Sequence, residues 1–427
     1  MRARLTGLAA GLVLAAAVAV VAPPAHADGG TLPAPVGHVF VILLENESAE
    51  TTFGASSPAP YLATQLTAQG QLLENYYGTG HVSLDNYISL VSGQAPNPAT
   101  QSDCQQFLDF VSLGTDANGQ EIGVGCVFPA NVLTVADQLE AAGRTWRGYM
   151  DGMGTPCRHP AINGTDDTQS AEVGDQYATR HNPFMYFHSV IDEPSCADRV
   201  VDLAALPTDL TTEAATPNLS FITPDLCDDG HDAPCVDGRP GGLESADAFL
   251  QTWVPQILAS PAFQHDGMLV ITFDEAEVGE SGAADACCGE QAGPNSPLPG
   301  ITGPGGGRIG AVVLSRFVTP GSTNDTPYNH YSLLRTMEDA FGLSHLGFAA
   351  ADGLAPFGAD VFGAAPAATT TSTAAATTTS TAASRPAGSG AALPATGRPW
   401  PLGAALVVAA GALGVVVLRR RVAASRP

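Results

Sequence analysis

Apolar runs recur along the chain, and two of them, Val39 to Leu44 and Met268 to Phe273, are almost free of polar residues. A strand with one face in water alternates polar and apolar positions, so runs of this kind predict strands covered on both faces, as in a parallel sheet. Leu219 to Ile222, Ile309 to Leu314 and Gln71 to Tyr77 predict three more. Between them the period changes. Leu62, Ala63 and Leu66 fit a helix closed by Gly70; Tyr87, Leu90 and Val91 fit a second; Leu333, Leu334, Met337 and Phe341 fit a third. Strands and helices in this order predict an α/β domain, whose ligands bind beyond the carboxyl ends of the strands. Both long strands end in polar pairs at that position, Glu45-Asn46 and Asp274-Glu275. The pairs lie far apart in sequence, so only the sheet can bring them together.

The ends of the chain follow other patterns. Residues 1–27 carry Arg2 and Arg4, an apolar stretch from Leu8 to Val21 and the small-x-small site Ala25-His26-Ala27, the make-up of a secretory signal peptide. Residues 364–392 are almost wholly Ala, Thr, Ser, Pro and Gly, a composition with nothing to bury, and predict a disordered spacer. Residues 393–427 begin Leu393-Pro394-Ala395-Thr396-Gly397, continue as an apolar span over 401–418 and stop at Arg419-Arg420-Arg421. This resembles the cell-wall sorting signal of Gram-positive bacteria. The resemblance implies that a sortase cuts between Thr396 and Gly397 and joins the protein to peptidoglycan. The alternative is a C-terminal membrane anchor whose arginines stay inside. Either way the domain, residues 28–363, is secreted and faces outward.

Charge narrows the partners. The chain has 17 basic residues, all Arg, against 42 acids; seven of those Arg and none of the acids lie in the signal and tail, which leaves the exported product at −32. Such a surface repels nucleic acid and anionic lipid. All eight cysteines fall within the domain. An even number in an oxidising compartment predicts disulfides, with short loops favouring Cys104–Cys126 and Cys227–Cys235. Zinc binding is the alternative for Cys287-Cys288, although adjacent thiols are a poor ligand set.

Three further segments carry chemistry. In GTGHVSLDNYISLVSG, Ser83 opens a helix, where free N–H groups and the positive end of the dipole favour an attacked phosphate. Capping by Ser83 or Asp85 is the plainer reading. In LSFITPDLCDDGHD a strand is followed by Asp225, Asp228, Asp229, His231 and Asp232, ligand types suited to a divalent metal ion, or to a solvated acidic loop. In TPYNHYSLLRTMEDAFGL, His330 stands just before a helix.

Taken in order, ILLENESAETTFG, HVSLDNYISLVSG, FITPDLCDDGHD, ITFDEAE and HYSLLRTMEDAFGL resemble the bacterial phosphoesterase family that contains acid phosphatases and non-haemolytic phospholipases C, within the alkaline phosphatase superfamily. The resemblance implies a three-layer α/β/α fold of alkaline-phosphatase type with a mostly parallel sheet. It implies a divalent metal ion held by Glu45, Asn46, Asp274 and Glu275, with Asp229 or Asp225 in support. Ser83 matches the nucleophile, three residues before Asn86, the residue implied to bind a phosphoryl oxygen. His81, His231 and His330 match site histidines, His231 or His330 being the proton donor to the leaving group. Protonated histidines binding phosphate would account for an acid pH optimum. Ser48-Ala49-Glu50 stands where the phospholipase branch carries Phe-Asp after the Ser, and the domain is shorter than that branch. Both departures favour a phosphomonoesterase acting on a small phosphate ester. A phospholipase C or phosphodiesterase acting on phospholipid head groups is the alternative, and a non-catalytic surface protein the rival from another class.

Overall fold

The computed structural model describes residues 30–363. The segments predicted as signal peptide, spacer and sorting signal, with Thr396 and Gly397, lie outside the described residues.

Eight strands form one sheet: β1 (His38–Leu44), β2 (Gln71–Leu73), β3 (Trp146–Met150), β4 (Val200–Asp202), β5 (Leu219–Thr223), β6 (Gly267–Phe273), β7 (Ala311–Ser315) and β8 (Ser322–Asn324). Their spatial order is β8-β2-β7-β6-β1-β5-β3-β4. β6, β1, β5, β3 and β4 run parallel, as do β8 and β2, and only β7 is antiparallel to its neighbours. The sheet is therefore mostly parallel, as the apolar runs predict.

Every residue of β1, β5, β6 and β7 is buried. Each Val, Ile, Leu or Phe so placed contributes about 1.5–3 kcal/mol, which fixes these strands at the centre. Six helices are labelled: α1 (Ala49–Phe53), α2 (Ser83–Ser92), α3 (Val135–Ala141), α4 (Gly242–Ala259), α5 (Pro261–Asp266) and α6 (His330–Phe341). They form two packed groups. α2, α3 and α6 touch one another, while α4 touches α5, and both α1 and α4 touch the π-helical segment Tyr61–Leu66. With the central strands covered on both faces, these groups are the outer layers of an α/β/α sandwich.

The predicted strand Gln71 to Tyr77 is two pieces. A turn at Glu74-Asn75 ends β2, and Tyr76–Tyr77 pairs instead with Tyr328–Asn329. That short ladder sets the start of α6 beside the segment leading to α2. α2 ends at Gly93, whose φ of 69° is left-handed and suits glycine.

All eight cysteines are paired. Cys104–Cys126 and Cys227–Cys235 form as the loop lengths favour, and Cys157–Cys196 and Cys287–Cys288 complete the set. Zinc binding at Cys287-Cys288 is excluded by that bond. Among the described residues no helix is long and apolar enough to cross a membrane.

Candidate active site

Because β1, β5 and β6 are parallel neighbours, the polar residues that follow them share one edge. Glu45, directly after β1, is wholly buried. Ser83, the first residue of α2, donates to Glu45 Oε2 at 2.7 Å, and Tyr87, one turn later on the same face, donates to Oε1 at 2.6 Å. The spacing of four brings both hydroxyls to one carboxylate. Asn46 Nδ2 adds a third donor to Oε2 at 3.1 Å. His181 stacks on Tyr87 with ring planes 6° apart and brings Nε2 to 3.3 Å from Oε2. Val82, not Ser83 or Asp85, holds the cap position of α2, so the Ser83 hydroxyl is free of capping duty.

Asn86 does not do what the sequence suggests. Its Oδ1 accepts from the backbone N–H of Thr79 at 2.8 Å and of Gly80 at 3.0 Å, and its Nδ2 donates to the carbonyls of Gly80 and Val82. An amide engaged on both sides has no group left for a phosphoryl oxygen. Asn86 instead holds the turn that delivers Ser83. Gly80 in that turn lies against Asp85, where a Cβ would come within 2.3 Å of Oδ1.

After β6, Asp274 Oδ1 accepts from the N–H of Asn46 at 2.9 Å and of Glu275 at 2.7 Å, which ties the two polar pairs together. His81 lies between the Glu275 carboxylate, in contact with Nδ1, and the Ala283 carbonyl, 2.8 Å from Nε2. His330 donates from Nε2 to the Asp274 carbonyl at 2.7 Å, and its Nδ1 lies 3.2 Å from the Tyr76 hydroxyl. Both rings are spoken for, so His330 is a positioning residue, and of the two histidines expected as proton donor, His231 or His330, only His231 keeps a free ring. Burial pulls His81 below the ordinary histidine value and takes His330 down to about 4. Burial thus opposes the protonated ring at both histidines, the form that phosphate binding by His81 or His330 would need.

After β5, Asp229 is buried, its carbonyl accepting from Glu45 N and its Oδ1 from His231 N at 3.0 Å. The His231 ring stands at the rim, with 44% of its side chain exposed, 3.9 Å from Asp232 and from Glu277. Among the site histidines read from sequence it alone reaches solvent. Asp225 and Asp228 belong to another group. They join Asp151, which follows β3, with ligand oxygens within 4.8 Å of one another. Arg239 contacts Asp228 and lies 4.0 Å from Asp225.

The electrostatics are set by too many buried acids. Burial raises Glu45, but His181, Tyr87 and Arg180 outweigh it and bring the carboxyl down to about 2. Burial pulls His181 the other way, towards the neutral ring, against the attraction of Glu45. Asp85, Asp229, Asp274 and Glu275 are all pushed well up, by burial first and then by neighbouring carboxylates. Asp229 Oδ2, Asp274 Oδ2 and both Asp85 oxygens are buried with no hydrogen-bond partner. An uncompensated buried carboxylate costs several kcal/mol. Hard oxygen donors with this shortage of positive charge are the chemistry a divalent cation satisfies. Glu45, Asn46, Asp229, Asp274 and Glu275 are the residues that could hold it, in a more open arrangement than the Asp151 group.

Several members of the site escaped the sequence reading. Tyr87 shows there only as a helix-face apolar residue, its hydroxyl unremarked. Arg180, His181 and Asp103 stand in no strand-end acidic pattern, and no local signal marks them; Asp85 shows there only as a capping candidate.

A model of the phosphoesterase family matches residues 57–344, a span that contains Ser83 and every residue above except Glu45 and Asn46. The chain is 24% identical over 308 residues to the probable acid phosphatase of Kluyveromyces lactis, covering 72% of this chain and 59% of that protein. It is 24% identical over 285 residues to the acid phosphatase of Aspergillus fumigatus, covering 66% and 51%. The chain thus spans little more than half the length of these relatives. It is also 24% identical over 343 residues to the phosphatidylinositol-3-phosphatase of Mycobacterium tuberculosis, covering 80% and 89%. Among solved structures, an alkaline phosphatase superfamily protein from Vibrio parahaemolyticus aligns at 12% identity and a TM-score of 0.42, over 74% of this chain and 69% of that one. The lipoteichoic acid synthase of Listeria monocytogenes aligns at 10% and 0.40, over 74% and 75%. Likenesses that distant carry no argument.

Proposed function

This chain belongs to the phosphoesterase family, and from that premise we propose that it hydrolyses phosphate monoesters through a phosphoserine at Ser83. The observation that carries the reading is the Ser83 hydroxyl, at the start of α2, donating at 2.7 Å to the buried Glu45 carboxylate. Glu45 orients the Ser83 hydroxyl, whose proton passes to solvent as Oγ bonds to phosphorus and the bond to the leaving oxygen breaks. His231 at the rim supplies the proton that the departing alkoxide takes. Water then attacks the phosphoserine and the phosphorus–Oγ bond breaks; Ser83 Oγ takes a proton from the attacking water, and His231 regains its own from solvent. A divalent cation held by Glu45, Asn46, Asp229, Asp274 and Glu275 would neutralise charge on the phosphoryl group when bound. Asn86, His81 and His330 keep these groups in place.

The similarity to a phosphatidylinositol-3-phosphatase supports a second reading of the substrate, a monoester on a lipid head group. Secretion by residues 1–27 and attachment to peptidoglycan after Thr396 belong to the same proposal and rest on sequence pattern.

The test is phosphate release from p-nitrophenyl phosphate by purified protein between pH 4 and 8 with Mg²⁺, Mn²⁺, Ca²⁺ or Zn²⁺. Turnover that disappears in Ser83→Ala is the expected result. No release under any of these conditions refutes the enzyme reading; equal rates in the variant refute the nucleophile.

A further inference from the structure

Among the described residues one permanent cation, Arg180, acts on the site's carboxylates, and the steps above leave it without a task. Arg180 precedes His181, whose ring lies 3.3 Å from the carboxylate that accepts from Ser83. Its Nε is 3.7 Å from Asp103 Oδ2, and Asp103 Oδ1 accepts from Leu84 N at 3.0 Å, the residue next to the nucleophile. Its Nη1 donates to the Gln169 carbonyl at 3.0 Å. The guanidinium is thus fixed at two points, and its Nη2 makes no hydrogen bond among the described residues. The side chain is 12% exposed, so it is packed along its length but not sealed. Its charge acts on Glu45, Asp229 and Asp103 together.

We propose that Arg180 is the anion-binding residue that makes this site select a dianionic phosphoryl group, a monoester in preference to a diester. A monoester presents one more negative charge and one more terminal oxygen than a diester. A guanidinium matches those oxygens in a planar fork and stays charged at every working pH. In a site crowded with carboxylates, a second negative charge on the substrate is unfavourable unless a fixed positive group faces it. Asp103 is the positioning residue: it orients the guanidinium and ties it to the first turn of α2.

This inference rests on the phosphoesterase reading, and its test separates the two. Arg180→Gln and Arg180→Lys are compared with the wild type for kcat/KM on p-nitrophenyl phosphate and on bis-p-nitrophenyl phosphate. Binding of inorganic phosphate is measured alongside by calorimetry, which needs no turnover. Arg180→Gln is expected to lower the monoester value about 100-fold and the diester value about threefold or less, and to weaken phosphate binding about tenfold. Arg180→Lys, which keeps the charge and loses the fork, is expected to restore part of the monoester preference. Equal losses on both esters, or unchanged phosphate binding, in Arg180→Gln overturn the role of Arg180. If Arg180→Gln does not fold, Arg180→Lys decides alone: unchanged ester preference together with unchanged phosphate binding overturns the proposal. If the wild type turns over neither ester, the monoesterase reading fails, while weaker phosphate binding in the variants still upholds Arg180 as the anion-binding residue.

Discussion

Two groups of carboxylates line the same edge of one sheet, and they are balanced in different ways. Asp151, Asp225 and Asp228 follow β3 and β5, keep some contact with solvent and have Arg239 against them. Glu45, Asp229, Asp274 and Glu275 follow β1, β5 and β6, are buried almost completely, and leave Asp229 Oδ2 and Asp274 Oδ2 without a donor. The first group is the tighter of the two, yet water and an arginine already answer its charge. The second holds the Ser83 hydroxyl, and Arg180 and His181 answer only part of its charge. Closeness of acids is therefore a poor guide to where chemistry happens; a better one is buried charge whose compensation is incomplete.

The comparison breaks most completely at Glu45. Glu45→Gln removes the carboxylate that holds the Ser83 and Tyr87 hydroxyls, and kcat on p-nitrophenyl phosphate is expected to fall about 1,000-fold. Asp225→Asn, in the other group, is expected to change it less than threefold. Comparable losses in the two variants would erase the distinction between the groups.

A second measurement asks which group responds to a cation. A divalent ion that binds the folded state stabilises it by about 2.7 kcal/mol at 100 times its Kd. Thermal unfolding with and without millimolar Mn²⁺ is expected to show a rise in Tm that Asp274→Asn abolishes and Asp225→Asn retains. The reverse pattern assigns the cation to the Asp151 group.

The strand-end acids were legible in the sequence because they need only two facts, a doubly covered strand and a polar pair after it. Glu45-Asn46 and Asp274-Glu275 meet where the apolar runs say they should, with Asp274 Oδ1 joined to Asn46 N. Ser83 was legible for a similar reason, from the helix that begins at it. The roles of Asn86 and His330 were not. Backbone atoms use up the Asn86 amide, and the Asp274 carbonyl with the Tyr76 hydroxyl uses up the His330 ring; those partners depend on how the 79–82 turn and the end of β6 fold. Arg180 and His181 lie in a 3-10 turn, Thr179–His181, with no periodicity to read. They reach the site only because that turn packs against α2.

Acid stability offers a smaller and more graded test. His330 falls from its ordinary 6.5 to about 4 in the folded protein, so the unfolded chain binds its proton first as pH drops. Stability from this group is complete above pH 6.5 and is lost as pH falls towards 4, by about 3 kcal/mol at 1.36 kcal/mol per unit. Urea unfolding is expected to show a steeper decline between pH 6.5 and 4.5 for the wild type than for His330→Gln. Parallel curves would contradict the buried neutral ring.

Asp151 runs in the opposite sense. Burial first, then Asp225 and Asp228, raise it to about 7, so its cost to the fold appears as pH rises through 7 and is absent below its unfolded value. Asp151→Asn is expected to stabilise the protein at pH 8 by about 1 kcal/mol, after allowance for solvent screening, and to do nothing at pH 4. An equal effect at both pH values would show that repulsion within this group is not what the substitution relieves.

The central claim is that Ser83 carries the phosphoryl group. Its most direct test is acid quenching of the enzyme during turnover of a ³²P-labelled monoester, followed by peptide mapping. Label on the peptide containing Ser83, absent in Ser83→Ala, is the predicted result; rapid turnover with no labelled enzyme, or label on a different residue, contradicts it.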